Sequence, residues 1–167
     1  MGHLEHKHHA PRSLNCAVIT ISDSRSEADD ESGQLIVKTL KENGHMVSAY
    51  ALLKNDATTI KGKLDELLAN ETIQFIITSG GTGLGSRDVT VETVAPLLEK
   101  RLEGFGELFR HLSYKEIGSA AIMSRALAGV IKGRVIVCLP GSKGAVKLAL
   151  EKILLPEMGH MVRETTR

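Results

Sequence analysis

A glycine-rich segment, Ser79-Gly80-Gly81-Thr82-Gly83, carries the strongest chemical signal in the sequence. Glycine permits positive φ angles and close approach of the backbone to a ligand, and successive N–H groups in such a loop form a concave anion site. The segment lacks the Gly-Lys-Ser/Thr of a P-loop and the Gly-x-Gly-x-x-Gly of a dinucleotide site. It therefore predicts a phosphate-binding loop, with a flexible strand-to-helix turn as the alternative.

Two aspartates are candidates for metal-assisted phosphoryl chemistry. Asp88 follows the glycine-rich segment, and Asp56 opens a predicted helix. Mg²⁺ is usually bound through one or two carboxylates together with substrate phosphates, which is the chemistry this pair could support. Each residue also has a structural interpretation, because a carboxylate stabilises a helix N-terminus and Asp is a good N-cap. The residue types and their positions alone do not decide between the metal-binding and the structural interpretation.

Two further polar segments are candidates for anion contacts. Ser124-Arg125 supplies a guanidinium group, which binds phosphate in a bidentate manner, and a surface ion pair is the alternative. Pro140-Gly141-Ser142 either cradles a second anionic group or caps the last helix. The pattern contains no Ser-His-Asp or Cys-His arrangement for nucleophilic catalysis.

The elements that must position these residues alternate between strands and helices. Apolar and β-branched runs predict strands at 16–21, 46–53 and 74–78, and a hairpin formed by 126–131 and 134–139. Helical spacing of apolar residues predicts helices near 35–41, 60–68 and 146–154, a short helix within 104–119, and a helix capped by Thr90. This order predicts an α/β fold with three layers: a mainly parallel sheet with helices on both faces.

Three loops of this predicted fold each follow a strand and precede a helix. We name them the first loop (residues 22–32), the second loop (79–90) and the third loop (140–144). In a parallel sheet such loops lie at the same edge, beyond the carboxyl ends of the strands, where ligands bind near the point of reversed strand order. Their placement at helix N-termini favours anions, so the sequence predicts a phosphate-bearing ligand.

Length and charge limit the possible classes of protein. The 167 residues, of 18.0 kDa, predict a mobile N-terminal arm over 1–13 and a single domain over 14–167. Within the arm, His6, His8 and His9 either bind a metal or form a solvated tail. With 21 Lys and Arg against 20 Asp and Glu, and 3% aromatic residues, no nucleic-acid partner is expected.

The apolar segments and the cysteines predict the compartment. No run of eighteen apolar residues is present, so we expect no membrane span. Cys16 and Cys138 both lie inside apolar runs, and the N-terminal residues lack the apolar centre of a signal peptide. These features favour a reducing, cytoplasmic location.

Taken together, the motifs resemble the MoaB/MogA family of molybdenum-cofactor biosynthesis proteins. The resemblance runs from about residue 14 to 163, and the acidic stretch over 26–33 is closer to the MoaB branch. The matching segments, in order, are Thr20-Ile-Ser-Asp-Ser-Arg, Asp29-Asp-Glu-Ser-Gly, Asp56, Ser79-Gly-Gly-Thr-Gly, Arg87-Asp-Val-Thr-Val-Glu, Gly104-Phe-Gly-Glu-Leu-Phe-Arg, Ser124-Arg-Ala-Leu-Ala-Gly and Leu139-Pro-Gly-Ser.

The resemblance implies a molybdopterin-binding fold and a nucleotidyltransferase activity. The implied enzyme transfers AMP from Mg-ATP to molybdopterin, giving adenylyl-molybdopterin and pyrophosphate. Asp56 and Asp88 match the essential acidic positions and are assigned to Mg²⁺ and the ATP phosphates. The implied nucleotide and pterin contacts are Ser22 and Asp23 from the first loop, Ser79, Gly80, Gly81, Thr82 and Gly83 from the second, and Ser124, Arg125, Pro140, Gly141 and Ser142 around the pterin and its phosphate.

Other functions and the assembly state remain as expectations. A non-catalytic molybdopterin-binding protein of the MoaB branch is the alternative function, although retention of both Asp56 and Asp88 favours the enzyme. A nicotinamide-dependent oxidoreductase is disfavoured because the dinucleotide fingerprint is missing. The resemblance also implies a homo-oligomer, either a trimer or a hexamer.

Overall fold

The computed structural model describes residues 10–167, so His6, His8 and His9 of the predicted arm lie outside the described residues. The strands are β1 (Asn15–Ile21), β2 (Met46–Leu53), β3 (Phe75–Ser79), β4 (Lys100–Arg101), β5 (Leu127–Ile131) and β6 (Arg134–Leu139). The α-helices are α1 (Glu31–Glu42), α2 (Ala57–Ala69), α3 (Thr90–Val94), α4 (Glu103–Ile117), α5 (Lys143–Ala149) and α6 (Leu155–Thr165). A π-helical turn, Leu150–Leu154, joins α5 to α6 without a break.

The strands form one sheet in the order β2-β1-β3-β6-β5-β4. β2, β1, β3 and β6 run parallel, whereas β5 and β4 are antiparallel to their neighbours. The chain passes from β1 to β2 on one side and then to β3 on the other, so the strand order reverses at β1 and β3. The mainly parallel sheet and the predicted 126–139 hairpin are confirmed, and β4 is an additional strand.

Helices cover both faces of the sheet, which confirms the three-layer α/β class. Along β1, Cys16 and Val18 belong to a core formed with α1, α4, α5 and α6. The alternate residues Ala17 and Ile19 belong to a second core formed with α2 and α3. This alternation follows from the two-residue period of a strand. Burial raises the pKa of the thiol of Cys16, and that of Cys138, to about 12, so both cysteines are protonated core residues.

Two local predictions differ from the structure. Thr90 is not the N-cap of α3: the helix begins at Thr90, and its hydroxyl donates instead to the carbonyl oxygen of Gly80, at 2.9 Å. The predicted short helix is α4, with 15 residues. Its apolar stripe is obscured in the sequence because two other apolar residues of the helix, Leu108 and Ile117, are exposed.

The first described residues pack against the domain. The hydroxyl of Ser13 donates to the carbonyl oxygen of Gly44 at 2.8 Å. A Cβ added at Gly159 would lie 2.4 Å from the carbonyl oxygen of Pro11, so this glycine lets residues 10–13 approach α6 closely. Across residues 10–167, we find no helix with the length and apolar character needed to span a bilayer.

Candidate functional site

A cleft of about 680 Å³ opens beyond the carboxyl ends of β1, β3 and β6. All three loops meet there, as the sequence predicts, at the point where the strand order reverses. The described residues that line it come from the end of β1, from the three loops, from Asn55, from α4 with the turn after it, and from α5. They are Ile21, Ser22, Asp23, Ser24, Arg25, Asn55, Gly80, Gly81, Thr82, Gly83, Asp88, Phe109, Ser113, Glu116, Ile117, Ala120, Met123, Ser124, Pro140, Gly141, Ser142, Gly144, Ala145 and Leu148.

Most of the predicted site residues lie in this lining. Three do not. Ser79 is the last residue of β3 and is fully buried beneath the loop. Asp56 is exposed at the start of α2, and Arg125 lies behind the second loop. The structure therefore brings the loop backbone, Asp23 and Asp88 together in the cleft. Ser79, Asp56 and Arg125 lie around the cleft and outside its lining.

The glycine-rich part of the second loop has a backbone that other residues would strain. Gly80 and Gly81 have φ angles of 101° and 66°. A Cβ added at Gly80 would lie 2.1 Å from the carbonyl oxygen of Ile21, and one at Gly81 would lie 2.2 Å from the hydroxyl oxygen of Thr90. The loop is therefore packed directly on the end of β1, which brings its peptide groups to the floor of the cleft.

Arg125 holds this loop from behind. Its Nε donates to the carbonyl oxygen of Thr82 at 2.9 Å, and its Nη2 donates to that of Gly83 at 2.6 Å. Its guanidinium group also pairs with the carboxylate of Glu92. This hydrogen bond lowers the pKa of Glu92 and raises that of Arg125, so the pair stays charged.

The aspartates of the site have different neighbours. Asp88 Oδ2 accepts a hydrogen bond from the backbone N–H of Gly85 at 3.1 Å, at the end of the second loop. Asp23 Oδ1 accepts one from the N–H of Asn55 at 2.9 Å, and this bond lowers the pKa of Asp23. Both carboxylates reach the cleft lining.

Asp56 acts as the N-cap that the sequence predicts for α2. Its Oδ1 accepts hydrogen bonds from the N–H of Thr59 at 2.7 Å and from the hydroxyl of Thr59 at 2.6 Å. These bonds lower the pKa of Asp56. Its neighbour Asn55, rather than Asp56 itself, lines the cleft.

The donor set of the cleft suits Mg²⁺. Hard oxygen ligands are what this ion prefers, and Asp23 and Asp88 supply carboxylates. The side-chain oxygen of Asn55 is buried and accepts no hydrogen bond from the described residues. Residues 10–167 contain no cluster of three or more His, Cys, Asp or Glu side chains placed to hold a metal. A Mg²⁺ ion that arrives with substrate phosphates needs only one or two carboxylates.

Sequence reasoning missed two kinds of cleft residue. Arg25 ends the matching segment Thr20-Ile-Ser-Asp-Ser-Arg but received no role, and the only signal for Asn55 was its position next to Asp56. The wall formed by Ser113 and Glu116 comes from α4, whose length was not predicted.

Comparisons with known proteins agree with this fold. A family model described as a probable molybdopterin binding domain matches residues 17–160. Molybdenum cofactor biosynthesis protein B of Bacillus cereus is 47% identical over 168 residues, which cover 100% of this chain and 99% of that protein. A crystal structure of molybdenum cofactor biosynthesis protein B matches with a TM-score of 0.90 and 47% identity, covering 95% of this chain and 99% of that one.

A more distant structure carries the same fold. The tungsten cofactor synthesizing protein MoaB from Pyrococcus furiosus matches with a TM-score of 0.87 and 36% identity, over 95% of this chain and 100% of that one. The chain therefore belongs to the MoaB/MogA family of molybdenum-cofactor biosynthesis proteins, on the side of its MoaB branch.

Proposed function

We propose that this chain transfers AMP from Mg-ATP to molybdopterin, forming adenylyl-molybdopterin and releasing pyrophosphate. The observation that carries the proposal is the convergence of the glycine-rich backbone and Asp88 in one cleft at the reversal of strand order. Such a site suits phosphate groups and a divalent cation. Family membership supports molybdopterin as the second ligand.

The reaction needs positioning more than it needs a protein nucleophile. An oxygen of the pterin phosphate forms a bond to the α-phosphorus of ATP, and the bond from that phosphorus to the bridging oxygen of pyrophosphate breaks. Both reactants carry their own phosphates, so the protein must bring them together and reduce their repulsion. This agrees with the described lining residues, which include no histidine and no cysteine.

Each part of the cleft has a role in this proposal. The peptide N–H groups of Gly81 to Gly83 and the hydroxyl of Ser22 bind phosphate oxygens, while Ser124 and the third loop hold the pterin side. Asp88 and Asp23, which both line the cleft, would hold the cation, and Asp56, at the start of α2, is assigned to the Mg-ATP side of the site. When bound, Mg²⁺ supplies neutralisation of the phosphate charge.

A product assay tests the proposal. Purified protein is mixed with molybdopterin and Mg-ATP, and adenylyl-molybdopterin and pyrophosphate are quantified. Asp88→Asn keeps an oxygen for the N–H of Gly85 but removes the charge, so we expect folded protein with no product. Asp65→Asn is the matched control, because Asp65 is exposed on α2 and pairs only with Lys61 in the described contacts. Equal product from wild type and Asp88→Asn would reject the metal assignment.

One observation favours a second function, non-catalytic binding of molybdopterin or its precursor. Asp56 lies outside the cleft lining and its carboxylate is engaged in the cap of α2. In that case the same assay gives bound molybdopterin without product, in wild type as well as in Asp88→Asn.

We also propose that the chain assembles as a homo-oligomer, a trimer or a hexamer, as family membership implies. The described surface has a groove of about 680 Å³ beside β4, an edge strand. Leu102 and Leu108 in this groove are 44% and 45% exposed. Apolar exposure of this kind is typical of an interface. Sedimentation velocity measures the state directly, and a monomer would contradict this proposal.

A further inference from the structure

The cleft lining has an uneven charge. Among the described residues that line it, Asp23, Asp88 and Glu116 are acidic, and Arg25 is the one basic residue. Phosphate groups of a ligand need cationic partners, and a guanidinium group matches two phosphate oxygens at once. Arg25 is therefore the side chain in this part of the chain best suited to that contact.

The guanidinium group of Arg25 is held in place at the boundary of the first and third loops. Its Nη2 donates to the carbonyl oxygen of Gly141 at 3.1 Å, and its Nη1 lies 3.6 Å from Asp30 Oδ1. The hydroxyl of Ser32 donates to the same carbonyl oxygen at 2.9 Å. The side chain remains 34% exposed, so the group is oriented but still open to the cleft.

Asp30 is the anchor of this arrangement. It is fully buried, and its two oxygens accept from the N–H of Gly33 at 3.0 Å and from the hydroxyl of Tyr50 at 2.6 Å. A buried carboxylate is costly unless it is hydrogen-bonded and paired, and these partners satisfy it. Asp30 therefore places a hydrogen-bonded carboxyl group beside Arg25, supported from β2 by Tyr50.

We propose that Arg25, oriented by Asp30, binds a phosphate group of a substrate in the cleft, and that Arg125 acts only by supporting the second loop. The inference rests on the proposed function, because it assigns a contact within the same cleft. The guanidinium group of Arg125 is used by Thr82, Gly83 and Glu92, and Arg125 is absent from the described lining, whereas Arg25 lies in it.

Direct binding of the two ligands tests this assignment. Isothermal titration calorimetry measures Kd for molybdopterin and, separately, for Mg-ATP, so that the phosphate of either ligand can be identified. In Arg25→Gln we expect Kd for at least one ligand to rise roughly 10- to 100-fold, the usual effect of losing a hydrogen bond to a charged group. Arg25→Lys keeps the charge but loses the planar guanidinium group. Its Kd should therefore lie between that of wild type and that of Arg25→Gln.

Two further variants complete the test. Lys147→Gln removes the same charge from α5 at an exposed residue paired with Glu151, and its Kd should stay within about two-fold of wild type. Tyr50→Phe removes one hydrogen bond to Asp30 while leaving Arg25, so it should weaken binding less than Arg25→Gln. Thermal unfolding checks that each variant is folded. If Arg25→Gln does not fold, the Kd of Arg25→Lys is used for the test instead.

The outcomes separate this inference from the proposed function. Wild-type affinity for both ligands in Arg25→Gln and Arg25→Lys would overturn the role of Arg25 and leave the adenylyl transfer intact. If Lys147→Gln raised Kd as much as Arg25→Gln does, the effect would come from net charge alone. That result would also overturn the role of Arg25. Wild-type protein that binds neither ligand would remove the proposed function, and the assignment of Arg25 with it.

Discussion

Replacing Gly80 with alanine adds one methyl group where the second loop rests on the end of β1. The φ angle of Gly80 is 101°, and the new Cβ would lie 2.1 Å from the carbonyl oxygen of Ile21. That oxygen belongs to the backbone, so no side-chain rotation can relieve the contact. The loop itself must move.

The cost follows from what this movement breaks. A residue with a side chain at positive φ costs about 1–2 kcal/mol. The shift also weakens two hydrogen bonds, from Gly80 N–H to the carbonyl oxygen of Leu139 at 2.9 Å and from the Thr90 hydroxyl to Gly80 at 2.9 Å. At about 0.5–1.5 kcal/mol each, the total loss of unfolding free energy is about 2–5 kcal/mol.

Gly62→Ala is the matched control. Gly62 lies inside α2, and a Cβ added there meets nothing within 4 Å. The same substitution should therefore stabilise the chain by about 0.5–1 kcal/mol, because alanine is the better helix former.

Urea unfolding and calorimetry measure both variants. With roughly 2–4 °C per kcal/mol for a chain of this size, Gly80→Ala should lower Tm by about 4–20 °C and Gly62→Ala should raise it slightly. If Gly80→Ala has the unfolding free energy of wild type, or Gly62→Ala loses as much, the reasoning about the loop is refuted.

Three further predictions concern other residues. Asp56→Ser keeps an N-cap oxygen and removes the carboxylate. The unfolding free energy should therefore change by less than about 0.5 kcal/mol, while product formation is lost. Full turnover in this variant would show that Asp56 serves only as the N-cap of α2. Glu92→Gln frees Arg125 from its partner, so KM for Mg-ATP should rise with little change in Tm, and an unchanged KM contradicts the role of this pair in holding the loop. Burial lowers the pKa of His45, whose ring nitrogen accepts from the N–H of Leu14 at 3.2 Å. The unfolded chain then binds more protons than the folded one as the pH falls through about 6.5, so unfolding free energy should decrease from about pH 7 to pH 5. His45→Gln should remove most of this slope, and a slope equal to that of wild type would contradict the assignment.

The strands were predictable because their signal is local. Residues 46–53 alternate, and the runs at 16–21 and 74–78 are apolar and β-branched. β4 contains only Lys100 and Arg101, both exposed, so nothing in its own sequence marks it as a strand. It exists because of its pairing with β5, which is a tertiary contact.

The location of the cleft was predictable, but the directions of its side chains were not. Strand-to-helix order was sufficient to place the three loops together. Ser79 points into the core because it is still part of β3. The orientation of Arg25 depends on Asp30, which accepts a hydrogen bond from Tyr50. This hydrogen bond from β2 can be known only once β1 and β2 are paired.

A structure of the chain crystallised with molybdopterin, Mg²⁺ and a non-hydrolysable ATP analogue tests the central claim most directly. The claim is that one cleft, formed by the three loops, holds both substrates and the cation. We expect density for both ligands there, with the pterin phosphate and the α-phosphate adjacent and the cation next to Asp88. Nucleotide density in the groove beside β4, or molybdopterin in the cleft with the nucleotide absent at saturating concentration, would contradict it.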